Sequence, residues 1–312
     1  MLDIPGSTGH RLVKRTTPSG LTILVLESKA APVVAVQVWV GVGSADETPE
    51  EAGLAHVHEH MLFKGTLKDG VTRRGVGQIA AEIEGAGGEV NAWTSYDQTV
   101  YHVVIAKEFF ATGLDVLADA VQHSAFDPDE LSKELEVILE EIKRGEDSPG
   151  SRVSRALFSS AFKAHPYHRP VIGYRDIVAA FKRDNVATFF DAHYRADRLT
   201  VVVVGDIDAD RAVVDVERAF ADAKPGARPL LERAVEPAQQ GLRVTGLVDD
   251  VEESHLSVGF RGPSLLDART PAIDVMSVIL GTGESSRLTR TIKREQKLVN
   301  EVYAYAYTPK DP

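Results

Sequence analysis

The segment His56-Val57-His58-Glu59-His60 concentrates more potential chemistry than any other part of the sequence. On a helix, residues four apart share a face, so the imidazoles of His56 and His60 can bind one metal ion. Glu59 is three residues from His56 and one from His60, close enough to take a proton from water as a general base beside that ion. His58 is two positions from both histidines, points elsewhere, and is expected to be a supporting or surface residue, not a ligand. The chain has no cysteine, which removes disulfides and thiolate metal sites and makes a carboxylate the expected third ligand. The best source is the stretch 129–144, with Glu134, Glu136, Glu140 and Glu141. At about 100° per residue, Leu131, Leu135, Ile138 and Ile142 make one apolar stripe. Glu134 and Glu141 stack on one flank of it, and Glu140 falls on the water side. A ligand must sit at the edge of a core, so the geometry favours Glu141 and Glu134 over Glu140.

These side chains need elements to hold them. Residues 22–26 and 33–42 read as strands, the second from its alternating valines. A helix should start at Thr48, with Pro49 at its first position and Glu51 completing a capping box, and carry 53–63. A second helix at 77–84 ends in Gly87-Gly88, and strands follow at 89–94 and 99–105. Helical periodicity runs from 108 to 190, broken near Pro128, Pro149 and Pro166. Residues 201–204 read as a buried strand and 208–223 as a helix. This organisation predicts a first domain at 10–224, a linker at 225–240 and a second unit at 241–312. The second unit opens as the first did, with Gly241 and Gly262 answering Gly20 and Gly41, which implies an incomplete second copy of one fold.

Length and composition bound the alternatives. At 312 residues the chain is too long for one ordinary domain, and 43% hydrophobic residues suffice for real cores. The formal net charge of -11 argues against nucleic acid or an anionic membrane as partner. No apolar stretch is long enough for a transmembrane helix. The N-terminus lacks the basic-then-apolar pattern of a signal peptide, which points to the cytoplasm, or to the periplasm if the numbering is that of a mature form. His102, His123, His193 and His255 are scattered and read as packed or surface residues. His165 and His168, in a proline-rich turn, read as structural. Tyr303, Tyr305 and Tyr307 lie on one face of an expected strand and read as packing. Gly281-Thr282-Gly283 is too short for a phosphate loop.

The motifs occur in a recognisable order. GLAHVHEHMLFKGT at 53–66 resembles the zinc segment of the pitrilysin, insulysin and mitochondrial processing peptidase family, in its smaller bacterial branch. GGEVNAWT at 87–94, VILEEI at 137–142, HPYHRP at 165–170 and VVGD at 203–206 are similar to its later blocks, so the resemblance covers nearly the whole chain. It implies an α+β fold of two-layer domains, each a mostly antiparallel sheet packed against helices. It implies one Zn2+ per chain held by His56, His60 and Glu141, with Glu59 as the base that activates water and Glu134 as a second catalytic carboxylate beside the site. The spacing from His60 to Glu141 exceeds the family's usual spacing by a few residues, which are expected in a loop at 67–75. The resemblance further implies a peptide substrate added as a strand to the sheet edge at 89–94, with Asn91 and Ala92 binding it.

One departure bears on function. Self-sufficient relatives carry an Arg and, seven residues later, a Tyr in the second half, which help bind substrate and stabilise the oxyanion. The matching positions here hold Lys293 and Asn300. Lys keeps a charge without the planar fork, and Asn cannot replace a phenol. The expectation is therefore a zinc endopeptidase that borrows the pair from a homologous subunit in a heterodimer, with a homodimer as the alternative assembly. The rival expectation is a non-catalytic, structural or peptide-holding subunit of such a complex, against which the intact His56, Glu59, His60 and Glu141 speak.

Overall fold

The alternation of valines at 33–40 sends one set of side chains to a core and the other to the opposite face of a sheet, and the burial follows it. In the computed structural model, which describes residues 11–226 and 232–312, Val34, Val36, Val38 and Val40 are fully buried. The strands are β1 (Arg11–Thr16), β2 (Thr22–Glu27), β3 (Val33–Val40), β4 (Thr66–Lys68), β5 (Val71–Arg74), β6 (Glu89–Thr94), β7 (Thr99–Ala106) and β8 (Leu199–Gly205). The helices are α1 (Leu54–Met61), α2 (Gln78–Gly85), α3 (Phe110–His123), α4 (Pro128–Asp147), α5 (Pro149–Ala161), α6 (Arg175–Val178), α7 (Arg183–His193), α8 (Ala209–Ala219) and α9 (Thr270–Gly281).

Six strands form one sheet in the order β1-β2-β8-β3-β7-β6, with β4 and β5 in a separate hairpin. All neighbours in the large sheet are antiparallel except β2 and β8. Ile23, Val25, Tyr101, Val103, Ile105, Val201 and Val203 join the β3 valines in one core with Leu114, Leu117, Val121, Ile138 and Ile142 of the helices. This is the expected α+β arrangement, a mostly antiparallel sheet with helices on its buried face.

Local differences have physical causes. The single helix expected from Thr48 is two elements, a 3-10 turn at Pro49–Glu51 and α1 from Leu54. Thr48 N–H does donate to Glu51 Oε2 at 2.9 Å, but the helix breaks at Gly53, whose φ is +108°. A Cβ there would meet Ile172 O at 2.9 Å, so only glycine lets the two backbones approach. The stretch 67–75, expected as a loop, contains most of the β4–β5 hairpin. Its start and end are tied to α3 through Asp119, which accepts from Thr66 Oγ1 at 2.5 Å and from Arg74 at 2.6 Å.

The chain divides after Leu256 into two compact units. The expected boundary lay earlier, at 224–241. Residues 233–249 run along the first unit instead, held by charges. Arg233 pairs with Asp46 at 2.9 Å and with Asp97 at 2.6 Å. Glu236 accepts the N–H groups of Lys163, Ala164 and His165 at 2.7–3.0 Å. Arg243 donates to the carbonyls of Ser160 and Ala161.

The second unit holds α9 and a π-helical turn at Thr289–Glu295, and none of its described residues forms a strand. Residues 301–307 alternate between exposed and half-buried as a strand would, without a hydrogen-bonded partner strand. Tyr303, Tyr305 and Tyr307 are 71%, 66% and 47% exposed, contrary to the packing expected of them. Alternation specifies an extended chain, but a strand exists only where another pairs with it.

Candidate metal centre

Helix α1 is eight residues long, and Leu54, Ala55, Val57, His58 and Met61 are buried. Its N-cap, Gly53, has no side chain to offer the exposed N–H groups, and Glu47 supplies the cap from outside the helix. The Glu47 carboxylate accepts from Gly53 N–H at 2.9 Å and from Ala55 N–H at 2.8 Å. Burial pushes its pKa up to about 8, against the pull of those two N–H groups and of Arg169. On the helix's other flank, His58 is fully buried, with Nδ1 2.7 Å from Leu54 O and Nε2 2.9 Å from Val186 O. It sits among Phe126, Phe189, Phe190 and Tyr194. His58 is thus no surface residue: it anchors the back of α1 to α7.

His56 and His60 emerge on the face toward α4, their ring centroids 4.7 Å apart. Glu141 Oε2 lies 3.8 Å from His56 Nε2 and 3.7 Å from His60 Nε2. One ligand atom from each of the three residues lies within 4.8 Å of the others. Two ligands at about 2 Å from one tetrahedral ion stand about 3.4 Å apart, so the two gaps from Glu141 to the imidazoles are a few tenths of an ångström wider than in a closed site. Burial and then the neighbouring His60 push the His56 pKa down to about 4, which keeps the imidazole neutral, the form that ligates a metal. The donor set and its spacing fit a divalent ion of zinc's kind.

Glu134 is buried behind His60. Its Oε2 is 3.2 Å from His60 Nδ1 and its Oε1 2.6 Å from Lys64 Nζ. Placing the His60 proton on Nδ1 lets it donate to the carboxylate and leaves Nε2 toward Glu141. Glu140 is exposed, as its position on the helix required.

Glu59 projects toward the sheet. Thr94 Oγ1 donates to its Oε2 at 2.5 Å, and Thr94 N–H also reaches the carboxylate. Burial pushes the Glu59 pKa up, and the Thr94 hydrogen bonds and His60 pull it back. Thr94 ends β6, the strand at one edge of the sheet. Asn91 is exposed on that strand, and Ala92 N–H donates to the Asn91 side chain at 2.8 Å. The edge donor at Ala92 therefore points off the sheet, and its partner is a side chain, not a strand.

The sequence pattern of the insulinase family, peptidase family M16, matches residues 22–175, and that of the peptidase M16 inactive domain matches 180–311. The chain belongs to peptidase family M16. A Rickettsia felis protein named as an uncharacterized zinc protease is 33% identical over 294 residues, 94% of this chain and 69% of its own length. A Bacillus subtilis protein of the same kind, YmxG, is 34% identical over 297 residues, 94% of this chain and 70% of its own. Among solved structures, a protease from Helicobacter pylori superposes with a TM-score of 0.87 at 25% identity, covering 97% of this chain and 72% of that one. A peptidase M16 inactive domain from Pseudomonas fluorescens superposes with a TM-score of 0.80 at 20% identity, over 96% and 71% of the two chains, and bears on the fold alone.

The first M16 match contains His56, Glu59, His60, Glu134 and Glu141 together. The second begins inside the first compact unit, since β8 inserts between β2 and β3. The M16 sequence boundary and the physical boundary therefore differ. Three residues beside the site escaped sequence reading: Glu47, Lys64 and Thr94. Thr94 closes a motif block, but only the approach of β6 to α1 gives its hydroxyl a carboxylate to hold. Glu47 has no local signal, because its target lies across a turn and a glycine.

Proposed function

We propose that this chain is a zinc-dependent endopeptidase that cleaves extended peptides or unfolded segments. The observation that carries the proposal is the convergence of His56, His60 and Glu141 with the Thr94-held carboxylate of Glu59 between them and the sheet edge. In this reading His56, His60 and Glu141 hold one Zn2+, which when bound supplies Lewis acidity toward water and the scissile carbonyl. Glu59 takes the proton of the attacking water and passes it to the leaving amine. Glu134 fixes the His60 ring and leaves the proton transfer to Glu59.

The substrate would lie along β6 as an added strand. Ala92 N–H faces outward, and by the alternation of an antiparallel ladder Val90 faces the same way. Asn91 would release Ala92 to a substrate carbonyl. Thr94, two residues on, offers its outward N–H to Glu59, so the peptide bond to be cut falls at the Thr94 end of the strand.

Lys293 and Asn300 stand where self-sufficient relatives carry Arg and Tyr, so the reading includes a homologous partner chain that lends the pair. No described helix is long and apolar enough to cross a membrane. The test is cleavage of a mixed pool of unstructured peptides, with and without a chelator, using Glu59→Gln as the blank. Chelator-sensitive cleavage that Glu59→Gln loses supports the peptidase, and if the chain achieves it alone the borrowed pair is unnecessary. Cleavage that survives both treatments would overturn the assignment of metal and base.

A further inference from the structure

We infer that Glu47 is a positioning residue for the metal centre, holding the first turn of α1 where His56 meets His60 and Glu141. The inference rests on the metal reading above and adds to it a residue outside the motif.

Helix α1 starts with Gly53, which has φ +108° and no side-chain cap. A helix of eight residues leaves a large share of its N–H groups without internal partners. Left open, such an end frays, and fraying here would carry away His56, the third residue of the helix. The Glu47 carboxylate closes it with two hydrogen bonds, to Gly53 N–H at 2.9 Å and Ala55 N–H at 2.8 Å. Ala55 directly precedes His56, so the second bond acts on the backbone that carries this ligand.

Glu47 is itself immobilised. It is 3% exposed, and Arg169 donates to its carbonyl oxygen at 2.7 Å. Across the helix start, Gly53 packs so closely on Ile172 and Gly173 that no side chain fits. The end of α1 is therefore clamped between a carboxylate and a backbone turn, while His58 fixes its back to Val186. Of the three clamps, only Glu47 bonds the backbone on both sides of Leu54, at the N-terminal end where a carboxylate is also favoured by the helix dipole.

A group that orients a metal ligand typically changes metal affinity by about 10–100-fold when removed. A group that merely stabilises the fold lowers Tm and leaves the affinity of the folded protein alone. The two roles therefore separate experimentally. Zinc affinity is measured by chelator competition on the full chain, for wild type, Glu47→Gln and Glu47→Asp, with the Tm of each metal-free protein. Gln keeps the size of Glu but offers one acceptor in place of two, so one N–H loses its partner. The expected result is a loss of zinc affinity of about tenfold in Glu47→Gln with the fold intact. Affinity within twofold of wild type in a folded Glu47→Gln, whatever its Tm, overturns the inference.

Amide exchange in the wild-type protein provides a reading that no misfolded variant can obscure. Gly53 and Ala55 N–H are expected to exchange slowly, and rapid exchange at both would also overturn the inference. A wild-type chain that binds no zinc removes the metal reading itself, an outcome distinct from binding that Glu47→Gln leaves unchanged.

Discussion

At the scale of single residues, the site separates three carboxylates by what surrounds them. Glu141 faces two imidazole nitrogens, Glu134 sits between a ring N–H and Lys64, and Glu59 is held by Thr94. The last contact has a measurable consequence. A general base works when ionised, burial disfavours that form, and the Thr94 hydroxyl favours it. Thr94→Val removes the hydroxyl bond, so the Glu59 pKa rises further. In the active enzyme the acid limb of the pH–rate profile should move to higher pH, with kcat lowered and zinc affinity unchanged. Thr94→Ser should restore both. An acid limb that stays in place in Thr94→Val would show that the hydroxyl does not tune the base.

At the scale of elements, the question is how an eight-residue helix is held still. Isolated helices this short do not persist in water, so α1 owes its existence to packing and capping. Gly53 is the point where packing tolerates least. Gly53→Ala forces a Cβ into a left-handed backbone conformation and to within 2.9 Å of Ile172 O. A destabilisation of about 1–3 kcal/mol is expected, read from urea unfolding of the metal-free chain. Helix α4 makes the opposite case, with twenty residues, a Pro at its first turn and an Asp127 side chain accepting from Asp129 and Glu130. Ile138 is fully buried between Glu134 and Glu141 on that helix. Ile138→Ala should cost about 2–5 kcal/mol. Because it loosens the helix that carries Glu141, zinc affinity should fall with it, measured on the fraction still folded.

At the scale of the whole molecule, the segment leaving the first unit is fastened by ions. Arg233 is matched to Asp46 and Asp97, and Asp46 is 1% exposed. Removing one partner of a buried pair leaves a charge without compensation, so Arg233→Ala should destabilise the first unit by about 3–5 kcal/mol. Equilibrium unfolding would show it, and limited proteolysis should find earlier cuts after residue 233. The proposed need for a partner makes a second prediction at this scale. The double variant Lys293→Arg with Asn300→Tyr should gain peptidase activity over the wild-type chain when each is assayed alone. No gain would remove the argument for a lent pair.

The face on which His56, His60 and Glu141 converge could be found in the sequence because it is written in local periodicity. Four residues separate His56 from His60, and seven separate Glu134 from Glu141, so helix geometry alone aligns each pair. The strands at 22–27, 33–40, 89–94, 99–106 and 199–205 were legible for the same reason, since alternating or continuous apolar runs report which faces are buried. The short strands of 66–74, the break at Gly53 and the absence of paired strands beyond 242 were not. Each depends on a partner distant in sequence: Asp119 for the hairpin, Ile172 for the glycine, and a neighbouring strand for 301–307. Only the tertiary structure decided that Thr94 holds Glu59 and that Glu47 closes α1. Those hydrogen bonds cross between elements whose approach is set by the packing of the core, and a carboxylate carries no mark in the sequence of the donor it will meet.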